Sequence, residues 1–133
     1  GTRVLVPRAE AAREILPETL RAWGAIVDVV PVYRTVPAAP DPAIIERLRS
    51  GSVDVVTFTS PSTVRNFIAW LRAAGLESHT VMGSAAAASI GPITSEALRS
   101  GGHAVPIEAK ESTVGSLVDA ISSFCGGDSP SSW

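Results

Sequence analysis

Short apolar runs alternate along this chain with segments of helical periodicity, and that alternation limits the fold more than any other feature. Val4-Leu5-Val6 and residues 26–32, 53–58, 86–90 and 104–107 read as strands. Residues 9–23, 41–48, 63–74, 92–98 and 114–124 read as the helices between and after them. Strands and helices in this order predict an α/β class, with a parallel five-stranded sheet, flanking helices and a flavodoxin-like layout. In such a sheet ligands bind beyond the carboxyl ends of the strands. Those ends are Pro7-Arg8, Tyr33-Arg34, Thr59-Ser60, Gly91-Pro92 and Glu108-Ala109.

Local signals set the expected boundaries. Pro7 stops the first strand, which is apolar enough to be buried. Pro17 lies inside the first helical pattern and predicts a kink or a break there. Gly24 fits the residue that ends a helix in a left-handed conformation. Residues 36–41 read as an extended connection; Asp41-Pro42 then caps and starts a helix that Gly51 ends. Residues 76–83 carry no clear signal. Gly101-Gly102 closes the fourth helical pattern, and Ser112 or Thr113 caps the last.

Composition narrows the function. Of 133 residues, 45% are hydrophobic and 18% charged, enough apolar material for a packed core. Only residues 126–133 read as a flexible tail. The net charge is −2 and no basic stripe appears, so nucleic acid is a poor partner. The single cysteine, Cys125, excludes an internal disulfide and a cysteine-cluster metal site. No apolar run approaches the roughly 18 residues of a membrane span. No signal peptide opens the chain, which predicts a cytoplasmic protein. A start at Gly1-Thr2, directly before an apolar run, reads as a piece of something longer.

Two strand ends share a design. Ser60-Pro61-Ser62-Thr63 and Gly91-Pro92-Ile93-Thr94 each leave a strand and open a helix. Such turns offer backbone N–H groups and small hydroxyls beside a positive helix end, a receptor for carboxylate or phosphate. The same residues serve as ordinary helix caps, and spacing alone does not separate the two roles. Tyr33 is the only tyrosine, at a strand end before Arg34-Thr35. Its phenol stays protonated near neutral pH and can donate to a leaving oxygen, or it can simply pack. His79, in a polar turn, and His103, before a strand, are expected at the surface without metal partners. Nothing matches a dinucleotide fingerprint, a phosphate loop or a nucleophile elbow.

Five stretches together resemble the uroporphyrinogen-III synthase family from about residue 3 to 121. They are Arg13-Glu14-Ile15-Leu16-Pro17 with Leu20 and Gly24; Val32-Tyr33-Arg34-Thr35-Val36; and Phe58-Thr59-Ser60-Pro61-Ser62. Ala88-Ser89-Ile90-Gly91-Pro92-Ile93-Thr94 with Ala97-Leu98, and Glu111-Ser112-Thr113 before Leu117, complete the set. The resemblance implies a cofactor-free lyase that folds as two α/β domains around a cleft. On this reading residues 1–35 match the last β-α-β of an inserted domain plus a linker strand. Residues 36–125 match the part that returns to the first domain. The family's amino-terminal half has no counterpart, so the core is completed by substitution of the chain's own first β-α-β or by exchange between two copies, and the missing half of the synthase is an expected partner. A fused tetrapyrrole methyltransferase is a further partner in some relatives.

The implied substrate is hydroxymethylbilane, a linear tetrapyrrole with acetate and propionate arms. It is closed to uroporphyrinogen III with its last ring inverted, in haem biosynthesis. Tyr33 matches the family's functional tyrosine and would assist loss of the hydroxyl. Ser60, Ser62, Thr63 and Thr94 would hold carboxylate arms, with Arg8, Arg34 and Arg65 as further substrate-binding candidates. Half of the cleft would lie outside the chain, so little activity is expected of it alone. Two rivals remain: a phosphoacceptor receiver, which needs an acid where Ser60 stands, and a non-catalytic tetrapyrrole-binding or regulatory module.

Overall fold

The computed structural model describes residues 1–36 and 38–126. The tail expected over 126–133 therefore lies almost wholly outside the described residues. The chain divides into two compact units, Gly1–Pro37 and Ala38–Trp133. Each carries its own parallel sheet, one of two strands and one of three. This corrects the single five-stranded sheet expected from sequence. Alternation of strand and helix specifies that strands exist; it does not say which strands exchange hydrogen bonds.

In the first unit β1 (Arg3–Ala9), α1 (Ile15–Ala22) and β2 (Ile26–Tyr33) form a β-α-β motif with β1 and β2 parallel. β1 runs through Pro7 instead of stopping there. A strand in a two-stranded sheet has one unpaired edge, where a missing N–H costs nothing. The burial expected of this strand is also corrected. Val4, Val6, Val27 and Val29 are half-buried on one face, whereas Leu5 is 63% exposed and Ile26 and Val30 are exposed with it. Pro17 makes no kink, because the helix starts at Ile15 and places it in the first turn. There its absent N–H would have had no intrahelical partner. Gly24, at φ 89°, ends α1 as expected: its N–H reaches the Arg21 carbonyl and that of Ala25 reaches Leu20.

The second unit contains α2 (Pro42–Arg49), β3 (Val55–Phe58), α3 (Pro61–Ala73) and α4 (Ser78–Ser84). It continues with β4 (Ala86–Ser89), α5 (Pro92–Ser100), β5 (Ile107–Glu108) and α6 (Val114–Phe124). The Asp41 carboxylate accepts from the Ala43 N–H at 2.8 Å, capping α2 as its sequence predicts. α4 forms where the sequence carries no clear signal, and β5 is shorter and later than expected. The strand order is β3-β4-β5, all parallel.

β4 is central and consists of Ala86-Ala87-Ala88-Ser89. Successive side chains point to opposite faces. Ala87 joins Phe58, Val64 and Leu98 in one cluster; Ala88 joins Ile107, Ala109 and Leu117 in another. Small side chains at the centre let helices pack closely on both faces. A third cluster, Leu48, Leu71 and Val81, ties α2, α3 and α4 together. His103 departs from its expected surface position and is 6% exposed, in the loop between α5 and β5. His79 is exposed, with its ring against that of His103.

Candidate functional site

The register of the second sheet gathers three turns at one edge. Phe58 is paired with Ser89, and Ser89 with Glu108. The ladder continues one step further, from the Ile90 N–H to the Phe58 carbonyl and from the Ala109 N–H to the Ser89 carbonyl. Strands in such a sheet are about 4.8 Å apart. The β3–α3, β4–α5 and β5–α6 turns therefore emerge side by side within about 10 Å.

The first turn is a capping box. The Ser60 hydroxyl accepts from the Thr63 N–H at 3.3 Å, and the Thr63 hydroxyl accepts from the Ser60 N–H at 3.2 Å. The Ser60 and Ser62 hydroxyls are 3.0 Å apart. This network fixes the start of α3, and Pro61 occupies its first position, where a missing N–H is harmless. Ser62 and Thr63 remain exposed, and Ser60 is half-buried. Arg65 follows on α3, exposed and with no carboxylate partner among the described residues.

The second turn is built differently. The Gly91 N–H donates to the Ser89 hydroxyl at 3.2 Å, and that hydroxyl donates to the Gly91 carbonyl at 2.8 Å. The first helical bond of α5 runs from the Ser95 N–H to the Gly91 carbonyl. The N–H groups of Ile93 and Thr94 precede it, and so are free of intrahelical partners. Thr94 as a whole residue is only 3% exposed, so its hydroxyl does not stand open to solvent in the turn. Ser95 is fully buried and donates to the Glu108 carboxylate, which Arg99 also approaches at 3.6 Å. That contact locks α5 to the end of β5.

The third turn closes over the second. A Cβ placed on Gly91 would sit 2.5 Å from the Ser112 hydroxyl oxygen. Gly91 has an extended backbone (φ 174°), so a side chain there is opposed by the close approach of the Ser112 hydroxyl and not by conformation. The Glu111 N–H donates to the Ser116 hydroxyl at 3.0 Å, and Thr113 caps α6 through the Ser116 N–H at 3.2 Å. Lys110 and Ser112 are exposed on this turn. Sequence reasoning did not single out Ser89, Lys110 or Ser112 as site residues. Their signal was position alone, at or just beyond a strand end.

The remaining candidates belong to the first unit. Tyr33 is 62% exposed. It follows a bulge: Arg8 pairs with Pro31 and Ala9 with Tyr33, leaving Val32 as an extra residue. A bulge re-aims the side chains beyond it. The Tyr33 carbonyl accepts from the Glu10 N–H at 2.8 Å, which holds its backbone. Arg34 is exposed and without a carboxylate partner among the described residues. Arg8 is engaged locally, bridging to Glu14 and donating to the Arg13 carbonyl at 3.2 Å. It braces the loop ahead of α1.

Other chemistry is sparse. Among the described residues no three His, Cys, Asp or Glu side chains gather as a metal-ligand set. Asp54 precedes β3, and its carbonyl accepts from the Ala86 N–H at 2.8 Å, at the opposite end from Ser60. A receiver-type phosphoacceptor therefore has no acid at the required strand end. A groove of about 450 Å³ follows the outer edge of β5 and α6, but Glu108 and Asp119 line it with Lys110. Two carboxylates suit an acidic ligand poorly.

Comparison with known proteins agrees with this layout. A sequence model of the family described as "Uroporphyrinogen-III synthase HemD" matches residues 1–119. The chain belongs to the uroporphyrinogen-III synthase family. It is 38% identical over 125 residues to "Uroporphyrinogen-III synthase" of Synechococcus elongatus, covering 91% of this chain and 47% of that protein. The chain spans about half the length of the curated relatives it matches. Two crystal structures share its fold at lower identity. Uroporphyrinogen-III synthetase from Helicobacter pylori superposes with a TM-score of 0.68 at 19% identity, over 92% of this chain and 53% of that one. A mutant uroporphyrinogen III synthase from the extremely thermophilic bacterium Thermus thermophilus gives 0.62 at 20% identity, over 90% and 47%. At these identities the structural likeness concerns the fold alone, and the family assignment stands on the sequence matches.

Proposed function

We propose that this chain supplies part of the substrate cleft of a uroporphyrinogen-III synthase, a lyase that closes hydroxymethylbilane to uroporphyrinogen III. The observation that carries this reading is the in-register row of three turns, in a chain whose sequence matches the family. Two of them start helices with proline, and a polycarboxylate can be gripped there without a dense cluster of basic side chains.

In this reading the C–O bond of the hydroxymethyl group breaks, and its oxygen leaves as water after taking a proton. Tyr33 assists by donating to that oxygen. The resulting azafulvene is attacked by the last pyrrole through its substituted carbon. The spiro intermediate opens and recloses with that ring inverted. Hydroxymethylbilane also cyclises unaided to the uninverted isomer, so the protein's main task is to hold one reactive shape. Ser60, Ser62 and Thr63, Arg65, Arg34 and the N–H groups of Ile93 and Thr94 hold carboxylate arms. Thr94 acts through its backbone and Arg8 through bracing the loop after β1.

The activity requires a second α/β half, supplied by a further segment or by exchange with a second copy, and the place of action is the cytoplasm. No helix among the described residues is long and apolar enough to cross a membrane, which agrees with that placement. The test uses a full-length synthase carrying this chain. Tyr33→Phe lowers kcat about a hundredfold with an unchanged circular dichroism spectrum, at the low end of general-acid effects. Unchanged kinetics would remove Tyr33 from the mechanism. The chain alone is expected to bind a uroporphyrin weakly and to leave the product distribution at that of the uncatalysed reaction; enzyme-like inversion by the chain alone would refute the need for a second half.

A further inference from the structure

The two histidines lie at the opposite end of the second sheet from the three turns, and no step of the proposed reaction uses them. Their rings meet with centroids 4.7 Å apart and planes tilted by 41°. His79 is the second residue of α4 and is exposed. His103 follows the glycine pair that ends α5; its N–H donates to the Leu98 carbonyl at 3.0 Å. Gly102, at φ +81°, leaves room for His79, since a Cβ there would stand 3.1 Å from the His79 Cε1. His103 Nε2 is buried and has no hydrogen-bond partner.

The contact tolerates charge poorly. No Asp or Glu oxygen lies within 4.0 Å of either imidazole among the described residues. α4 packs against α3 and β4 and shares the Leu48 cluster with α2, which carries Glu46, Arg47 and Arg49. β4 contributes no ionisable side chain, and α3 contributes only Arg65 and Arg72. α5, which leads into the glycine pair, carries Glu96 and Arg99, and Glu77 precedes α4. Burial of His103, and then the facing His79, hold the His103 pKa below the usual imidazole value. A proton on His103 therefore enters a poorly solvated position, and protons on both rings place like charges face to face.

We propose that the His79–His103 contact is an acid-released latch, which holds α4 on the second unit while both rings are neutral and frees it when the pair is protonated. The consequence is specific to α4. This helix is seven residues long and its first residue is preceded by Glu77, which makes no side-chain cap. Its attachment is Val81, 2% exposed in the cluster with Leu48 and Leu71, and Met82 against the Phe58 cluster. Release of α4 uncovers both clusters from one side and leaves the three turns at the far end of the sheet in place.

Hydrogen exchange measured by mass spectrometry at about pH 7.5 and about pH 5.5, with intrinsic rates corrected, tests this. Protection over 78–84 is expected to fall about tenfold more than protection over α3 on acidification. In His79→Gln, which removes one charge at an exposed position, the excess fall shrinks to about threefold or less. A double variant, His79→Gln with His103→Gln, should show none. The latch is overturned if α4 and α3 lose protection in parallel, or if His79→Gln responds to acid as the wild type does. Should the double variant not fold, the comparison of wild type with His79→Gln decides the matter by itself.

Discussion

Gly91 and Ser112 provide a sharp test of how the three turns fit together. In Gly91→Ala the new Cβ arrives 2.5 Å from the Ser112 hydroxyl oxygen and 3.7 Å from its Cβ. The first distance is about 1 Å inside ordinary contact and the second is acceptable, so the conflict is with one atom. Overpacking of this kind costs about 1–3 kcal/mol. The backbone at Gly91 is extended, so alanine is not strained there and gains about 0.4–1 kcal/mol by restricting the unfolded chain. The net change for Gly91→Ala is expected to range from near zero to about 2.5 kcal/mol destabilising. Ser112→Ala removes the offending oxygen and keeps the Cβ. On that background Gly91→Ala should become stabilising by about 0.4–1 kcal/mol. The double-mutant cycle in urea, followed by circular dichroism, should thus give a coupling energy of about 1–3 kcal/mol. Additivity within about 0.5 kcal/mol would show that the Ser112 hydroxyl moves aside at no cost and is not held against Gly91.

Other perturbations give distinct outcomes. Ser95→Ala removes a buried hydroxyl that donates to Glu108 and should cost about 1.5–3 kcal/mol by urea denaturation; a change below about 0.5 kcal/mol would deny that this bond secures α5 to β5. Phe58→Ala empties the centre of a main side-chain cluster of the second unit and should cost about 3–5 kcal/mol, with a cost under about 1 kcal/mol contradicting its place in the core. His103 binds protons less readily when folded, so the unfolded chain holds more protons just below its ordinary value of about 6.5. Its contribution is therefore present above that pH and is lost as pH falls toward and through the lowered folded value. Denaturation midpoints should drop on acidification across this window and drop less in His103→Gln; equal slopes would contradict the shift.

Much of the local structure is legible in the sequence because it depends on residues close together in the chain. Asp41-Pro42 caps α2, Ser60-Pro61 starts α3, Thr113 caps α6 and Gly24 ends α1, each through contacts within a few positions. Pro17 misleads because a proline's effect depends on its distance from the helix start, and nothing in residues 9–14 marks that start clearly. α4 is illegible since its seven residues are too few for a periodic pattern, and its helix depends on Val81 and Met82 packing below it. Burial of His103 accompanies the contact of its ring with that of His79, a residue distant in sequence, which is a tertiary fact. The division into two sheets is hidden for the same reason. At the candidate site, Ser60 and Ser62 are found through cap chemistry, whereas Ser89, Lys110 and Ser112 become visible only once the register sets three strand ends in a row.

The isomer of uroporphyrinogen formed from hydroxymethylbilane reports whether the protein holds its substrate in one reactive shape. A full-length synthase containing this chain, given the linear substrate and analysed by chromatography of the oxidised products, should yield the inverted isomer. Replacement of Ser60 and Ser62 by alanine should shift the mixture toward the uninverted one as the grip on the substrate loosens. Formation of only the uninverted isomer by the unaltered protein, at the rate seen without protein, would show that it does not shape the substrate for ring inversion.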